Sequence, residues 1–412
     1  MPRSLKKIFR PSPVSLHKRS SQHLRMITGV FFVFAVAGCA SPVSTADDYR
    51  VVIDAGSSGS RAFIYKITSH NPLRVEQVDA GEIESGALSD AISESNSFQK
   101  NIVDDVLTSL LDKVKTSPQV EGVPHGRIEV SLLGTGGMRK LEPYQRDAIY
   151  GTVQGLIETN GFALGEVGTI TGEQEGLFAW LDVNYQDGAL DGTKETRGII
   201  EVGGASTQVA FDSPQLGKNA NYNLTIDGRN YHVYTKTIAG LGQNDARKLM
   251  NKNANSYACY PKGYVRGNDR AGDFNLDDCR IAYGDVFNES VSKEAKEIAT
   301  VLNDSYRSGT FVGLSGLYHT LRFLKAENNV SRFNLDGQVN HICYRGYAAL
   351  DAETTHEEKS FLPSQCANSV YATSLLFKAL DIRDGSLIAL DKIGDNDLTW
   401  TLGYVIYRKS QS

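Results

Sequence analysis

Short apolar blocks rich in β-branched and aromatic residues recur along the chain, separated by breaks of Gly, Ser and Asp. "RVVIDAG" (50–56) and "RAFIYKI" (61–67) flank one such break, and their pattern predicts two adjacent antiparallel strands. Phe98, Ile102, Val106, Leu110 and Val114 then recur at helical spacing and predict a helix with one apolar face. A loop at 117–126 leads to a buried strand, "IEVSLLGTGGM" (128–138). Pro143 starts a helix that stops near Gly161. "EVGTITG" (166–172) reads as a further strand and "EQEGLFAWLDVNY" (173–185) as the helix after it. Strands alternating with helices predict an α/β fold with mixed sheets.

The second half begins by repeating the first. "GIIEVGGASTQVAF" (198–211) lays onto "VVIDAGSSGSRAFIY" (51–65), with Asp54 on Glu201, Gly56 on Gly203 and Ser60 on Thr207. Segment 213–230 reads as a hairpin excursion, and the chain shows no short-period array. One duplication of this kind predicts two related domains facing each other across a cleft.

Length and composition fit that picture. At 412 residues, with 41% apolar and 22% charged content, the chain can build more than one core. Its formal charge is −5, but seven basic residues and no acidic ones precede Cys39; the remainder carries 36 basic against 48 acidic residues, or −12. No basic run is left to suggest nucleic acid. The first segment reads as an address: a basic stretch, an apolar "MITGVFFVFAVA" (26–37) too short for a comfortable span, then "VAGC" (36–39), which resembles a lipobox with Cys39 as the lipidated residue. Ordinary secretion, or a short anchor with Cys39 incidental, is the alternative. Residues 1–39 are thus expected to be a signal peptide and 40–48 a tether, making an exported periplasmic, surface-anchored or secreted protein whose only membrane contact is a lipid. Four cysteines remain, an even number that suits two disulfides in an exported chain. Three connectivities exist, and sequence proximity favours Cys259–Cys279 with Cys343–Cys366. Their spacing fits no structural zinc site.

Four loops carry candidate chemistry. In "DAGSSGSR" (54–61), Gly56 and Gly59 let backbone N–H groups converge on an anion, while Ser57, Ser58, Ser60 and Arg61 add donors. That suits phosphate. Asp54 would repel a phosphate directly and makes sense if a divalent cation, or water bound to one, lies between them. A hairpin whose glycines merely satisfy backbone geometry is the bland alternative for one copy. The second copy, "EVGGASTQ" (201–208), repeats acid, glycine and hydroxyl in register, with Glu201, Gly203, Gly204, Ala205, Ser206 and the neutral amide of Gln208. "LLGTGGMR" (132–139) offers Thr135, Gly136, Gly137 and Arg139, and alone reads as a plain turn. In "ITGEQEGLFAW" (170–180), Glu173 and Glu175 are either helix-dipole partners or a general base.

Taken in order, these loops resemble the apyrase conserved regions of the ecto-nucleoside triphosphate diphosphohydrolase family, and further echoes extend the likeness over roughly residues 50–407. The resemblance implies two RNase H-like domains of the actin, sugar-kinase and heat-shock chaperone superfamily, here 49–170 with 393–412, and 171–392. It implies hydrolysis of nucleoside tri- and diphosphates to monophosphates with Mg²⁺ or Ca²⁺; a monomer is expected. The family's base lands on Glu175 rather than Glu173, its water-positioning pair on Ser206 and Gln208, and its ion, held through water, on Asp54 and Glu201. Two departures stand out. Glu201 replaces the usual aspartate, and "SGLYHT" (315–320) stands where the family has a base-stacking segment with two adjacent aromatics; base contact is expected from Ser315, Gly316, Tyr318 and His319, with core packing of Tyr318 the alternative. The rival readings are an exopolyphosphatase-type enzyme of the same superfamily, a sugar kinase, and a non-hydrolysing nucleotide switch.

Overall fold

In the computed structural model the described residues are 48–80, 86–267, 269–287, 289–356 and 358–411; the expected signal segment, Cys39 and nearly all of the tether lie outside them. Two mixed sheets dominate. The first contains β1 (Asp48–Ala55), β2 (Ser60–His70), β3 (Leu73–Ala80), β4 (Ile128–Gly134) and β5 (Ala163–Thr169) in the order β3-β2-β1-β4-β5. The second contains β6 (Gly198–Val202), β7 (Ser206–Asp212), β8 (Tyr222–Ile226), β9 (Arg229–Ala239), β10 (Phe311–Ser315) and β11 (Leu387–Ala389) in the order β11-β10-β6-β7-β9-β8. In each, the first strand pairs antiparallel with its hairpin partner on one side and parallel with a later strand on the other.

The duplication seen in the residues is therefore a duplication of register. Asp54 lies opposite Arg61, and Glu201 lies opposite Gln208. Gly56 N–H donates to the Gly59 carbonyl at 2.9 Å, and Gly203 N–H donates to the Ser206 carbonyl at 3.0 Å. Each turn brings the acid at the end of its strand to the same edge of its sheet.

Helices α1 (Lys100–Thr116), α2 (Gly136–Arg139), α3 (Pro143–Thr159) and α4 (Gly172–Gln186) belong to the first half. The apolar face of α1 is Val103, Val106, Leu107, Leu110, Leu111 and Val114, and Phe98, expected on it, precedes the helix and is 37% exposed. β4 is shorter than expected because the chain turns at Thr135 into α2; a Cβ at Gly134 would lie 2.6 Å from the Met138 side chain. Thr171 starts α4 with a capping box: its hydroxyl accepts from Gln174 N–H at 3.1 Å, and the Gln174 side chain accepts from Thr171 N–H at 2.9 Å.

The second half adds α5 (Gln243–Met250), α6 (Leu276–Ala282), α7 (Glu289–Ser305), α8 (Gly316–Phe323), α9 (Arg332–Cys343), α10 (Tyr347–Glu353), α11 (Leu362–Ser374) and the final α12 (Trp400–Ser410). Cys259 pairs with Cys279, and Cys343 with Cys366. One apolar core lies on the outer face of each sheet, and a third gathers residues of both sheets with α4 and α12. Nearly every residue of α4 from Glu175 to Asn184 is buried, as befits a helix covered all round. At Gly403, α12 comes so close to α4 that an added Cβ would lie 1.8 Å from the Phe178 carbonyl oxygen. Among the described residues, no helix is long and apolar enough to cross a membrane.

Candidate active site

A cavity of about 1680 Å³ opens at the edge where the two Gly-rich turns lie. Asp54, Ser57, Ser58, Gly59, Arg61, Thr135, Gly136, Glu175, Glu201, Gly203, Gly204, Ala205 and Ser206 line it, as do Ser315, Gly316, Tyr318 and His319. The turns meet at its floor: a Cβ at Gly204 would lie 2.7 Å from Ser57 Oγ, and one at Gly136 would lie 3.0 Å from Ala205 Cβ. Side chains larger than hydrogen there would fill the cradle.

The backbone of the second turn is fixed from behind. The first amides of α5 donate to its carbonyls, Gln243 N–H to Gly203 at 2.9 Å and Asn244 N–H to Gly204 at 3.0 Å. With those carbonyls engaged on the far side, the opposite faces of the same peptides are left for the cleft.

Glu175 stands in the first turn of α4, and burial raises its pKa while Arg139 works against that rise. Arg139 Nη2 donates to Glu175 Oε2 at 2.8 Å and to Ser206 Oγ at 3.1 Å, and Nη1 donates to the Ile170 carbonyl at 3.2 Å. Gln208 Nε2 donates to Ser206 Oγ at 2.8 Å, to Thr237 Oγ1 at 2.9 Å and to Glu175 Oε2 at 3.3 Å. A carboxylate held by a guanidinium and an amide, beside a hydroxyl, can accept a proton from a water placed among them. Glu173 is not among the cavity-lining residues.

Two more carboxylates share the cavity. Burial, then the charge of Glu175, pushes Asp54 up to about 7, and the same two causes push Glu201 up to about 8. The Trp400 side chain lies beside Asp54 and opposes part of that rise, and Ser315 Oγ donates to Glu201 Oε1 at 2.9 Å. Asp54 Oδ1 and Glu201 Oε2 are buried acceptors without a partner. Two orphaned hard oxygens, repelled by a third carboxylate, fit a hydrated divalent cation, which would satisfy both and draw their pKa values down. Among the described residues no three His, Cys, Asp or Glu side chains converge closely enough to ligate one ion directly.

Some expected residues stand elsewhere. Ser60 is fully buried and gives its hydroxyl to the Gly86 carbonyl at 3.1 Å. Arg139 points at Glu175 rather than into the cavity, and Gly137 packs against Ser57, where a Cβ would lie 2.9 Å from its Cα. Gln208 also lies behind the cavity wall, and Ser315, though it lines the cavity, gives its hydroxyl to Glu201. No local sequence pattern assigns Trp400 or Thr237 a role in the site. A polar wall of Gln243, Asn244, Arg247 and Asn368 was likewise unmarked: Arg247 donates to Asn368 and Asn244 at 2.8 Å each, and Asn368 donates to Gln243 at 3.2 Å.

Two mixed sheets of one plan, with paired acid–glycine–hydroxyl turns facing a shared cavity, define a duplicated α/β fold with its site between the two turns. The profile of the GDA1/CD39 (nucleoside phosphatase) family matches residues 41–412, and the chain belongs to that family. It is 26% identical to the Arabidopsis thaliana protein named "Probable apyrase 7" over 89% of its own length, and spans 57% of that relative. It is 24% identical to ectonucleoside triphosphate diphosphohydrolase 3 of Mus musculus, over 88% of this chain and 78% of the mouse protein. A solved nucleoside triphosphate hydrolase from Neospora caninum shares the fold at a TM-score of 0.58 and 15% identity, covering 89% of this chain and 93% of that one.

Proposed function

We propose that this chain hydrolyses nucleoside tri- and diphosphates to monophosphates by direct attack of water on the terminal phosphorus. The observation that carries this reading is the placement of Glu175, held by Arg139 next to Ser206 at the meeting point of two acid–Gly/Ser turns. Water forms the new P–O bond, the bond to the bridging oxygen breaks, and the water's proton passes to Glu175. Ser206 holds the water in line, and Gln208 acts from behind it through its hydrogen bonds to Ser206 and Glu175. Ser57, Ser58, Arg61, Thr135 and the backbone amides at Gly59, Gly136, Gly204 and Ala205 orient the phosphate chain, with Gly203 shaping the turn that presents them, and such positioning supplies most of the barrier reduction. Arg139 acts through Glu175 and Ser206, opposing the rise that burial imposes on the Glu175 pKa. Asp54 and Glu201 would hold Mg²⁺ or Ca²⁺ through water, and the ion, when bound, offsets phosphate charge. Tyr318 and His319, which line the cavity with their rings 5.3 Å apart, would contact the base.

The lobes are taken as residues 49–170 with 393–412, and 171–392, acting as a monomer. Export, with Cys39 lipidated, fits the two disulfides. A phosphate-release panel over nucleoside tri-, di- and monophosphates and long-chain polyphosphate, with and without EDTA, tests the reading. Release from tri- and diphosphates alone, abolished by EDTA, is expected; release from polyphosphate alone would overturn it.

A further inference from the structure

Ser315 sits where β10 turns into α8, with φ +56° and ψ −127°. A side chain is disfavoured there, and the same angles at the second residue of a type II′ turn belong to glycine. A serine held in such a position invites a functional reason. Its hydroxyl donates to Glu201 Oε1 at 2.9 Å, and the other oxygen, Glu201 Oε2, is the buried acceptor without a partner. β10 runs parallel to β6 with Leu314 beside Glu201 and Ser315 beside Val202, so the turn comes directly after the strand position that neighbours the acid. Glutamate has one more rotatable bond than aspartate, and its carboxylate needs an external hold to keep one orientation.

We propose that Ser315 is a positioning residue for Glu201. It accepts backbone strain so that its hydroxyl fixes one carboxylate oxygen and leaves the second turned to the cavity, where a hydrated divalent cation would bind. This assigns to Ser315 the carboxylate rather than the base, and it rests on the proposed role of Glu201. Hydrogen-bond partners of metal-binding carboxylates matter about tenfold to a hundredfold for affinity or rate.

The decisive variants are S315G, which removes the hydroxyl and suits the backbone, and S315A, which removes the hydroxyl and keeps the strain. Three readouts apply to the whole chain: melting temperature in EDTA, Mn²⁺ affinity by calorimetry without nucleotide, and kcat and KM for ADP and UDP. S315G is expected to melt no lower than wild type while Mn²⁺ affinity and kcat fall about tenfold to a hundredfold, with the ratio of the two KM values unchanged. S315A should lose as much affinity and melt below S315G. Wild-type Mn²⁺ affinity in S315G overturns the proposal, as does a lowered melting temperature that accounts for the lost activity. A changed KM ratio overturns it in favour of base contact. So does labelling of Ser315 by a fluorophosphonate, because a serine on a strand-to-helix turn can also be a nucleophile. If the wild-type chain releases no phosphate from any nucleotide, the proposed reaction falls, and the Mn²⁺ comparison still decides the role of Ser315.

Discussion

Gly242 offers a way to move the phosphate cradle without touching a side chain in it. Its φ of −78° and ψ of 153° are open to any residue, so alanine there carries no backbone penalty. The added Cβ would lie 2.2 Å from Ala205 N, 2.3 Å from Gly204 C and 2.4 Å from Gly204 O. Ordinary contact begins near 3.4 Å, so the backbone of the second turn must retreat by about 1.2 Å, the difference between 3.4 and 2.2. It cannot retreat freely, because the amides of Gln243 and Asn244 hold the Gly203 and Gly204 carbonyls. Forcing a methyl into such packing costs about 1–3 kcal/mol of stability. A misplacement of about 1 Å at a positioned reaction centre costs about a hundredfold in rate, or about 2.7 kcal/mol of barrier. G242A should therefore fold with a lowered melting temperature and release phosphate from nucleoside diphosphates about a hundredfold more slowly at saturating substrate. The control is G155A, on an exposed position of α3 with open space around it, where alanine should add about 1 kcal/mol of helix stability and leave turnover alone. Wild-type kcat in G242A, or an equal loss in G155A, would refute the reasoning.

Replacing Arg139 with methionine removes the charge and hydrogen bond that lower the Glu175 pKa against its burial, so the acid limb of the pH–rate profile should move to higher pH; a limb that stays in place or moves down would show that Glu175 is not the titrating base. Asp54 and Glu201 have folded pKa values near 7 and 8, above their ordinary 3.8 and 4.5, so the ion-free fold binds their protons more tightly than the unfolded chain does. Their contribution to stability is complete below about pH 4 and is lost as pH rises through the folded values near 7 and 8. In EDTA the melting temperature should carry this downward component between pH 4 and 8, seen as a slope that is shallower in D54N, and Mg²⁺ should offset it; identical slopes in D54N and wild type would contradict the assignment.

The chemistry of the turns was legible because it needs residue types that are rare together. Gly56, Ser57, Ser58 and Gly59 after an acid leave few alternatives, and the second copy repeats the spacing. Roles set by long-range folding were not legible. Arg139 reads as a phosphate ligand beside "GTGG", yet α2 carries it onto a carboxylate on another helix. Ser60 looks equivalent to its neighbours, but strand alternation turns it inward to Gly86. Trp400 meets Asp54 only because α12 returns from the far end of the chain to pack on the first sheet and α4. The apolar face of α1 was displaced for a simpler reason: Phe98 keeps the period but precedes the helix start at Lys100.

The most direct test concerns Glu175 itself. E175Q keeps the shape of the side chain and an oxygen for Arg139, and removes the basic carboxylate. Turnover of nucleoside tri- and diphosphates should fall at least about a hundredfold, the smallest effect expected for loss of a general base. Binding of a non-hydrolysable triphosphate analogue should remain within a few-fold of wild type. Near-normal turnover in E175Q would contradict the account, since the proton of the attacking water would then have to leave by another group.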